Sequence, residues 1–169
     1  MMPPKLAKSA VSVQEALDKL GLECKVLELP NSTRTALDAA SAIGCEISQI
    51  VKSLVFRTKK TGKPVLVLAS GPNQVDIKTI EDCVGESITK AEADFVREVT
   101  GFAIGGIPPV GHKNAIDFIY IDQDLMELDK VWAAAGTPNA VFCIKSQDLL
   151  KATSANIVSL SKSKREPES

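Results

Sequence analysis

Two features of this sequence combine residue types that could do chemistry. The first is a loop that holds three glycines and two adjacent prolines: Gly105, Gly106, Pro108, Pro109 and Gly111, followed directly by His112. Glycine permits backbone conformations that are closed to other residues, whereas proline fixes φ and removes an N–H donor. Such a loop can be bent yet stiff, and it can hold free amides toward a ligand carbonyl or a developing oxyanion. The alternative is an ordinary turn between two strands.

The second feature is Lys52, which lies in the apolar run Ile50–Phe56. In a strand, the period of two would place Lys52 on the same face as Leu54 and Phe56. A lysine among hydrophobic residues must find a partner, shift its pKa or reach a wet cavity with its ammonium group, so Lys52 is a candidate pocket residue. The alternative is that the strand begins after Lys52 and that the lysine is exposed at its start.

Two further side chains are candidates for substrate contacts. His112 is the one histidine of the chain and follows the glycine-rich loop, although a single histidine is commonly a satisfied surface or partly buried residue. Ser53 could in principle be a nucleophile with Lys52 as its base. Adjacent residues of an extended strand point to opposite faces, however, so we do not favour covalent catalysis.

Composition sets the outer bounds of the prediction. The chain has 169 residues, of which 44% are hydrophobic and 24% charged, and this suits a single globular domain. The net charge of −1 provides no global positive field for nucleic acid, so any such contact needs a local patch. We therefore expect no DNA partner. We also expect no membrane partner, because no apolar stretch approaches the roughly 20 residues that span a bilayer.

The four cysteines predict a reducing location rather than a metal site. They are far apart, show no C-x-x-C spacing and follow no secretory leader: Cys24, Cys45, Cys83 and Cys143. With one histidine and no ligand-spaced pair, we expect no metal and no other cofactor. The sequence therefore predicts a cytoplasmic protein.

Local patterns predict an α+β domain with mixed helices and strands. Predicted helices span 13–20 with Ser12 as N-cap, 36–43 between Thr35 and Gly44, and 76–84 before Gly85. A further helix is opened by a capping box over 89–92 and ends near Gly101, and a last helix of two turns has Ser146 as its cap. Predicted strands span 23–29, 50–56, 64–70, 102–104, 117–121, 130–135 and 141–144, and the second and third of these form a hairpin. We expect residues 1–11 to be flexible, 12–160 to form the domain and 161–169 to be a disordered polar tail.

The hairpin turn is basic and leaves two interpretations open. It carries Arg57, Lys59, Lys60 and Lys63, which could contact phosphates. A solvated hairpin tip is the alternative, because exposed turns are commonly charged and no aromatic residues interleave here for base stacking.

Taken together, these segments resemble the YbaK/ProX family, which includes the editing domain inserted in many bacterial prolyl-tRNA synthetases. The resemblance rests on the run 35–44, the run 50–56 with Lys52, the loop 105–111, and Ala135-Gly136 before a final strand and helix. It covers roughly residues 12–160. It implies a single α+β domain with a curved, barrel-like mixed sheet flanked by helices.

The resemblance also implies a function. The expected activity is hydrolysis in trans of an amino acid wrongly attached to tRNA, with tRNA for proline as the expected substrate and a prolyl-tRNA synthetase as an expected partner. Lys52 matches the family's essential lysine and would orient the aminoacyl-adenosine end of the acceptor stem. The implied substrate-binding residues are Ser53, Gly105, Gly106, Pro108, Pro109, Gly111, His112 and Gly136.

A different class of function remains open on the sequence alone. The same pocket could sense a free amino acid or an aminoacyl-nucleotide without turnover, or the domain could dock on a synthetase. A lysine-dependent Schiff-base enzyme is a third alternative.

Overall fold

The computed structural model describes residues 7–30, 32–33 and 35–160. The first helix, α1 (Lys8–Lys19), begins with Ala7 as N-cap, so the prediction that Ser12 caps it is wrong. Ser12 lies inside the helix, where its hydroxyl donates to the Ser9 carbonyl. Residues 8–11, expected before the domain, thus form the first turn of α1. Residues 1–6 and the tail 161–169 lie outside the described residues.

The second helix, α2 (Ala36–Ile43), has the predicted bounds because local contacts fix both ends. The Thr35 side chain accepts from the Asp38 N–H and the Asp38 carboxylate accepts from the Thr35 N–H, which forms a capping box. Gly44 ends the helix at φ 86°, a left-handed conformation that favours glycine.

The strands form two sheets. The larger sheet contains β2 (Val51–Thr58), β3 (Pro64–Ser70), β4 (Ile88–Lys90), β5 (Phe118–Asp122) and β8 (Asn156–Val158) in the order β4-β2-β3-β5-β8. The smaller contains β1 (Leu27–Glu28), β6 (Lys130–Ala134) and β7 (Ala140–Lys145) in the order β1-β7-β6. β2 and β3 form the predicted hairpin, whereas β5 runs parallel to both β3 and β8.

The remaining helices are α3 (Ile77–Val84), α4 (Ala93–Thr100), α5 (Gln123–Met126) and α6 (Ser146–Thr153), and a 3-10 turn covers Ile47–Gln49. Ser146 is the first residue of α6 and not its cap, because its hydroxyl donates to the Leu128 carbonyl. No helix in the described ranges is long and apolar enough to cross a membrane.

The predicted α+β class is confirmed, with one refinement of the barrel-like sheet. A single bridge between Ile50 and Trp132 joins the two sheets, and they do not close into a barrel. The main core lies between them and includes Val55, Leu66 and Phe142. A second core packs the opposite face of β2 and β3 against α3 through Phe56, Val67 and Ile80.

Four strand predictions need correction. The predicted strand 102–104 is a bend and turn that leads into the glycine-rich loop, and the strand predicted over 23–29 has only two paired residues. β4 occupies positions that we assigned to a capping box, and β8 was missed. β4 and β8 have three residues each, so their pairing with β2 and β5 is set by distant parts of the chain.

Candidate functional site

Lys52 lies within β2, which excludes the alternative that the strand begins after it. Leu54 and Phe56, on the same face, pack in the second core, whereas Val51 and Val55 face the main core. The Lys52 side chain is half-buried, and its Nζ donates to the carbonyl oxygen of Asn73 at 2.6 Å. An ammonium group has three N–H donors, so two remain for a ligand.

The contact of Lys52 is held by a buried carboxylate. Asn73 Nδ2 donates to Asp122 Oδ2 at 2.8 Å and to Asp124 Oδ2 at 2.7 Å. Burial lowers the pKa of Lys52 below its ordinary value, and the negative charge of Asp122 partly opposes this shift. Asn73 therefore links the two groups: its main-chain carbonyl accepts from Lys52, and its side-chain amide donates to Asp122.

Two cavities meet at Lys52. The first, of about 260 Å³, is called here the loop-side cavity; it extends past Ala36, Ala39, Gly105, Trp132 and Pro138. The second, of about 330 Å³, is called here the strand-side cavity; it extends past Phe56, Val75, Ile77, Lys90 and Val96. The residues that line both are Lys52, Ser53, Leu54, Ile104 and Ile107. Lys52 thus lies at the boundary between two largely apolar chambers.

The glycine-rich loop contributes the backbone amide of Gly105 to this site. Gly105 lines the loop-side cavity at φ 97°, and its N–H donates to no acceptor among the described residues. The Gly106 N–H, by contrast, donates to the Ala103 carbonyl at 3.1 Å. Of the predicted amide donors, Gly105 is therefore the one that combines an unused N–H with a position beside Lys52.

Gly106 and Gly136 hold the loop in place through close backbone packing. The Gly136 N–H donates to the Gly106 carbonyl at 2.8 Å. A Cβ atom on Gly106 would lie 2.7 Å from Thr137 Cα, and one on Gly136 would lie 2.6 Å from the Ser9 carbonyl oxygen. Neither glycine lines the loop-side cavity itself, although Pro138 does, so their placement favours a structural task next to the site.

The second half of the loop lies elsewhere. Pro109, Gly111 and His112 line a separate cavity of about 350 Å³ against Ala16 of α1, which Lys52 does not reach. Pro108 is buried, and its carbonyl oxygen is 2.6 Å from His112 Nε2. Burial lowers the pKa of His112, and this contact partly offsets the shift. The structure thus places Gly105 and Ile107 on a cavity with Lys52, whereas the second half of the loop lines a different one.

Ser53 carries an unusual hydroxyl. Its Oγ is buried and has no hydrogen-bond partner among the described residues, although Ser53 lines both cavities. An unsatisfied buried hydroxyl costs about 1–3 kcal/mol, so a ligand that bonds it would recover this energy. This observation keeps Ser53 as a candidate substrate contact.

Asn73 and Asp122 are functional candidates that the sequence did not suggest. Asp122 ends β5 and Asn73 follows β3, and the parallel pairing of these strands brings the two side chains together. The available signal was a polar residue at or shortly after the end of each of two neighbouring buried strands.

Other features of the surface have simpler interpretations. In the described ranges, no group of three or more histidine, cysteine or acidic residues could hold a metal. The Arg57 guanidinium stacks over the Phe95 ring at 4.3 Å. Glu86 accepts from the Lys60 N–H at 2.9 Å and from the Thr61 N–H, so the hairpin tip is folded onto the turn before β4. A larger, open cavity of about 900 Å³ beside Cys24 and Cys143 does not include Lys52.

Comparison with known proteins identifies the family. The aminoacyl-tRNA editing domain family matches residues 30–152, and the chain belongs to this family. Its architecture is also that of a crystal structure presented as a candidate trans-editing enzyme for prolyl tRNA synthetase, with 47% identity, a TM-score of 0.89, and coverage of 94% of this chain and 99% of the other.

Two sequence relatives show how the domain occurs in other proteins. An uncharacterized Bacillus subtilis protein, YwhH, is 30% identical over 83% of this chain and 88% of its own length. The proline–tRNA ligase of Limosilactobacillus fermentum is 35% identical over 54% of this chain, which corresponds to only 16% of the ligase. The chain thus matches a small part of the ligase and nearly all of YwhH.

Proposed function

We propose that this protein is a deacylase that acts in trans on misacylated tRNA, with tRNA for proline as its substrate. The observation that carries the proposal is the position of Lys52 on both chambers, one of which is also lined by Gly105, whose N–H has no acceptor among the described residues. Membership of the aminoacyl-tRNA editing domain family and the similarity to a candidate trans-editing enzyme support it.

In the proposed reaction, the amino acid occupies one chamber and the terminal adenosine the other, so that the ester lies beside Lys52. Two N–H groups of Lys52 remain after its bond to Asn73, and they orient the ester and the ribose. The Gly105 N–H donates to no acceptor in the described part of the chain, and it stabilises the negative charge that develops on the carbonyl oxygen.

Water is the nucleophile in this scheme. Its oxygen attacks the carbonyl carbon, the bond between that carbon and the ribose oxygen breaks, and the ribose oxygen takes up a proton as the free amino acid leaves. The described linings of both chambers contain no carboxylate and no imidazole. We therefore assign the activation of water to the neighbouring ribose hydroxyl of the substrate, with Lys52 in a positioning and electrostatic role.

The charge of the protein limits how it meets tRNA. With a net charge of −1, contacts would be confined to the acceptor end or assisted by a prolyl-tRNA synthetase. The basic residues Lys59, Lys60 and Lys63 at the hairpin tip are available for the phosphates. The proposed setting is the cytoplasm, where aminoacyl-tRNA is made and used.

The proposal is tested by comparing Lys52→Ala with the wild type on misacylated tRNA for proline. Loss of one positioning charge is expected to lower the rate about a hundredfold, which corresponds to roughly 2.7 kcal/mol. Lys151→Ala, which removes an exposed lysine from α6, is the matched control and should keep the wild-type rate. Full activity of Lys52→Ala would refute the role of Lys52. Tight binding of small amino-acid amides without any hydrolysis would instead identify a sensing module.

A further inference from the structure

The carboxylate of Asp122 is the centre of a buried network that reaches Lys52. The side chain is 1% exposed. Its Oδ2 accepts from the Ser70 N–H at 3.0 Å and from Asn73 Nδ2 at 2.8 Å, and its Oδ1 accepts from the Asp124 N–H at 3.0 Å. Three N–H groups from two segments therefore converge on one carboxylate.

Only part of this network is needed to build the fold. The bond from the Asp124 N–H caps the short helix α5, and the bond from the Ser70 N–H joins the ends of β3 and β5. The bond from Asn73 Nδ2 has a different role, because the main-chain carbonyl oxygen of the same residue accepts from Lys52 Nζ. The turn is fixed further by the bond from the Asn73 N–H to the Ser70 carbonyl at 2.9 Å.

We propose that Asp122 is a positioning residue for Lys52. Acting through Asn73, Asp122 sets both the place and the charge of the Lys52 ammonium group. The inference rests on the proposed function for its catalytic meaning. Its physical content, the coupling of Asp122 to Lys52 through the side chain and the main-chain carbonyl of Asn73, is independent of the reaction.

The coupling has two parts. Asp122 holds the side-chain amide of Asn73, and this fixes the turn whose main-chain carbonyl oxygen accepts from Lys52 Nζ. Its negative charge also favours the protonated lysine, against the burial that lowers the pKa of Lys52. The other charged groups near Lys52 are Asp124, which shares Asn73 Nδ2, and Lys90, which lines the strand-side cavity. Of these groups, Asp122 is the one whose charge opposes the effect of burial on the pKa of Lys52.

The first test needs no substrate. The pKa of Lys52 is measured by NMR titration of protein labelled with ¹³C at the lysine ε carbon, and the Lys52 signal is assigned by its loss in Lys52→Ala. In Asp122→Asn the pKa of Lys52 should fall, because the counter-charge is gone. Asp82→Asn, which removes an exposed carboxylate from α3, controls for the change in net charge and should leave the pKa unchanged. Equal titration of Lys52 in all three proteins would overturn the proposal.

The second test reads the effect on deacylation. Asp122→Asn is expected to lower kcat/KM about tenfold or more, as expected when a buried charged network loses a partner. Spontaneous hydrolysis is subtracted at each pH. The alkaline limb of the pH profile should move to lower pH, since the ammonium form is lost earlier, and a merely structural role would leave that limb in place.

Non-additivity separates the inference from a general loss of stability. In a Lys52→Ala background, Asp122→Asn should cause no further loss of rate, whereas an independent structural effect would multiply the two losses. If Asp122→Asn does not fold, Asn73→Ala keeps the buried carboxylate and the main-chain carbonyl that accepts from Lys52, and it removes only the side-chain amide that bonds Asp122 and Asp124. It should also lower kcat/KM and should not do so in the Lys52→Ala background. If no protein hydrolyses any ester but the NMR coupling is present, the proposed function fails and the coupling stands.

Discussion

Gly106→Ala tests the contact that carries the loop to the site. The added Cβ would lie 2.7 Å from Thr137 Cα and 2.8 Å from both Thr137 N and Thr137 C. All three atoms belong to the backbone, so no side chain can swing away and the two loops must separate. That separation lengthens the bond from the Gly136 N–H to the Gly106 carbonyl, now 2.8 Å.

The expected cost follows from these two effects. Overpacking of a well-packed contact costs about 1–3 kcal/mol, and loss of one hydrogen bond adds about 1 kcal/mol. The free energy of unfolding should thus fall by about 2–4 kcal/mol, which lowers Tm by roughly 5–15 °C in a chain of this length. The domain should remain folded at room temperature, because typical stabilities are about 5–15 kcal/mol. Deacylation should also weaken, since Gly105 and Pro138 line the loop-side cavity.

The assay is urea unfolding followed by the fluorescence of Trp132, the one tryptophan of the chain. Gly85→Ala is the matched control, because Gly85 has φ 92° but no atom within 4 Å of an added Cβ. The free energy of unfolding of Gly85→Ala should fall by only about 1–2 kcal/mol, which is the cost of holding alanine in a left-handed conformation. A Gly106→Ala midpoint equal to that of the wild type would refute the close approach of the two loops.

Two further predictions concern groups at and near the site. Ser53→Ala should raise the free energy of unfolding by up to about 1 kcal/mol, because it removes a buried hydroxyl without a partner, while raising KM for misacylated tRNA; a lower urea midpoint would contradict this. Burial lowers the pKa of His112 in the folded protein, so on acidification the unfolded chain binds a proton at a higher pH than the folded protein does. The stability that neutral His112 contributes is therefore lost as the pH falls below about 6.5. His112→Gln should flatten that part of the curve of unfolding free energy against pH, and an unchanged slope would show that another group titrates there.

The parts of the fold that depend on local chemistry could be predicted from the sequence. The bounds of α2 follow from the Thr35 and Asp38 capping box and from Gly44, all within one segment. The hairpin of β2 and β3 follows from two apolar runs around a polar turn. The predicted start of α1 was wrong, because the pattern at Ser12 is that of a helix cap but does not act as one. The Ser12 hydroxyl instead bonds the Ser9 carbonyl inside the helix.

The site could be predicted only in part, because its geometry comes from contacts between distant segments. The sequence identified Lys52 and the glycine-rich loop as candidates from their residue types. The structure places Lys52 and Gly105 on one cavity. The turn of the chain after Ile107 carries Gly111 and His112 to α1, and no periodicity reports such a change of direction. The link from Lys52 through Asn73 to Asp122 depends on the pairing of β3 with β5.

The most direct measurement is the release of amino acid by the wild-type protein from purified tRNA for proline carrying alanine, cysteine, serine or proline, each beside a sample without enzyme. We expect hydrolysis of at least one misacylated tRNA well above the spontaneous rate, with prolyl-tRNA spared. Rates equal to the spontaneous rate for every ester would contradict the account.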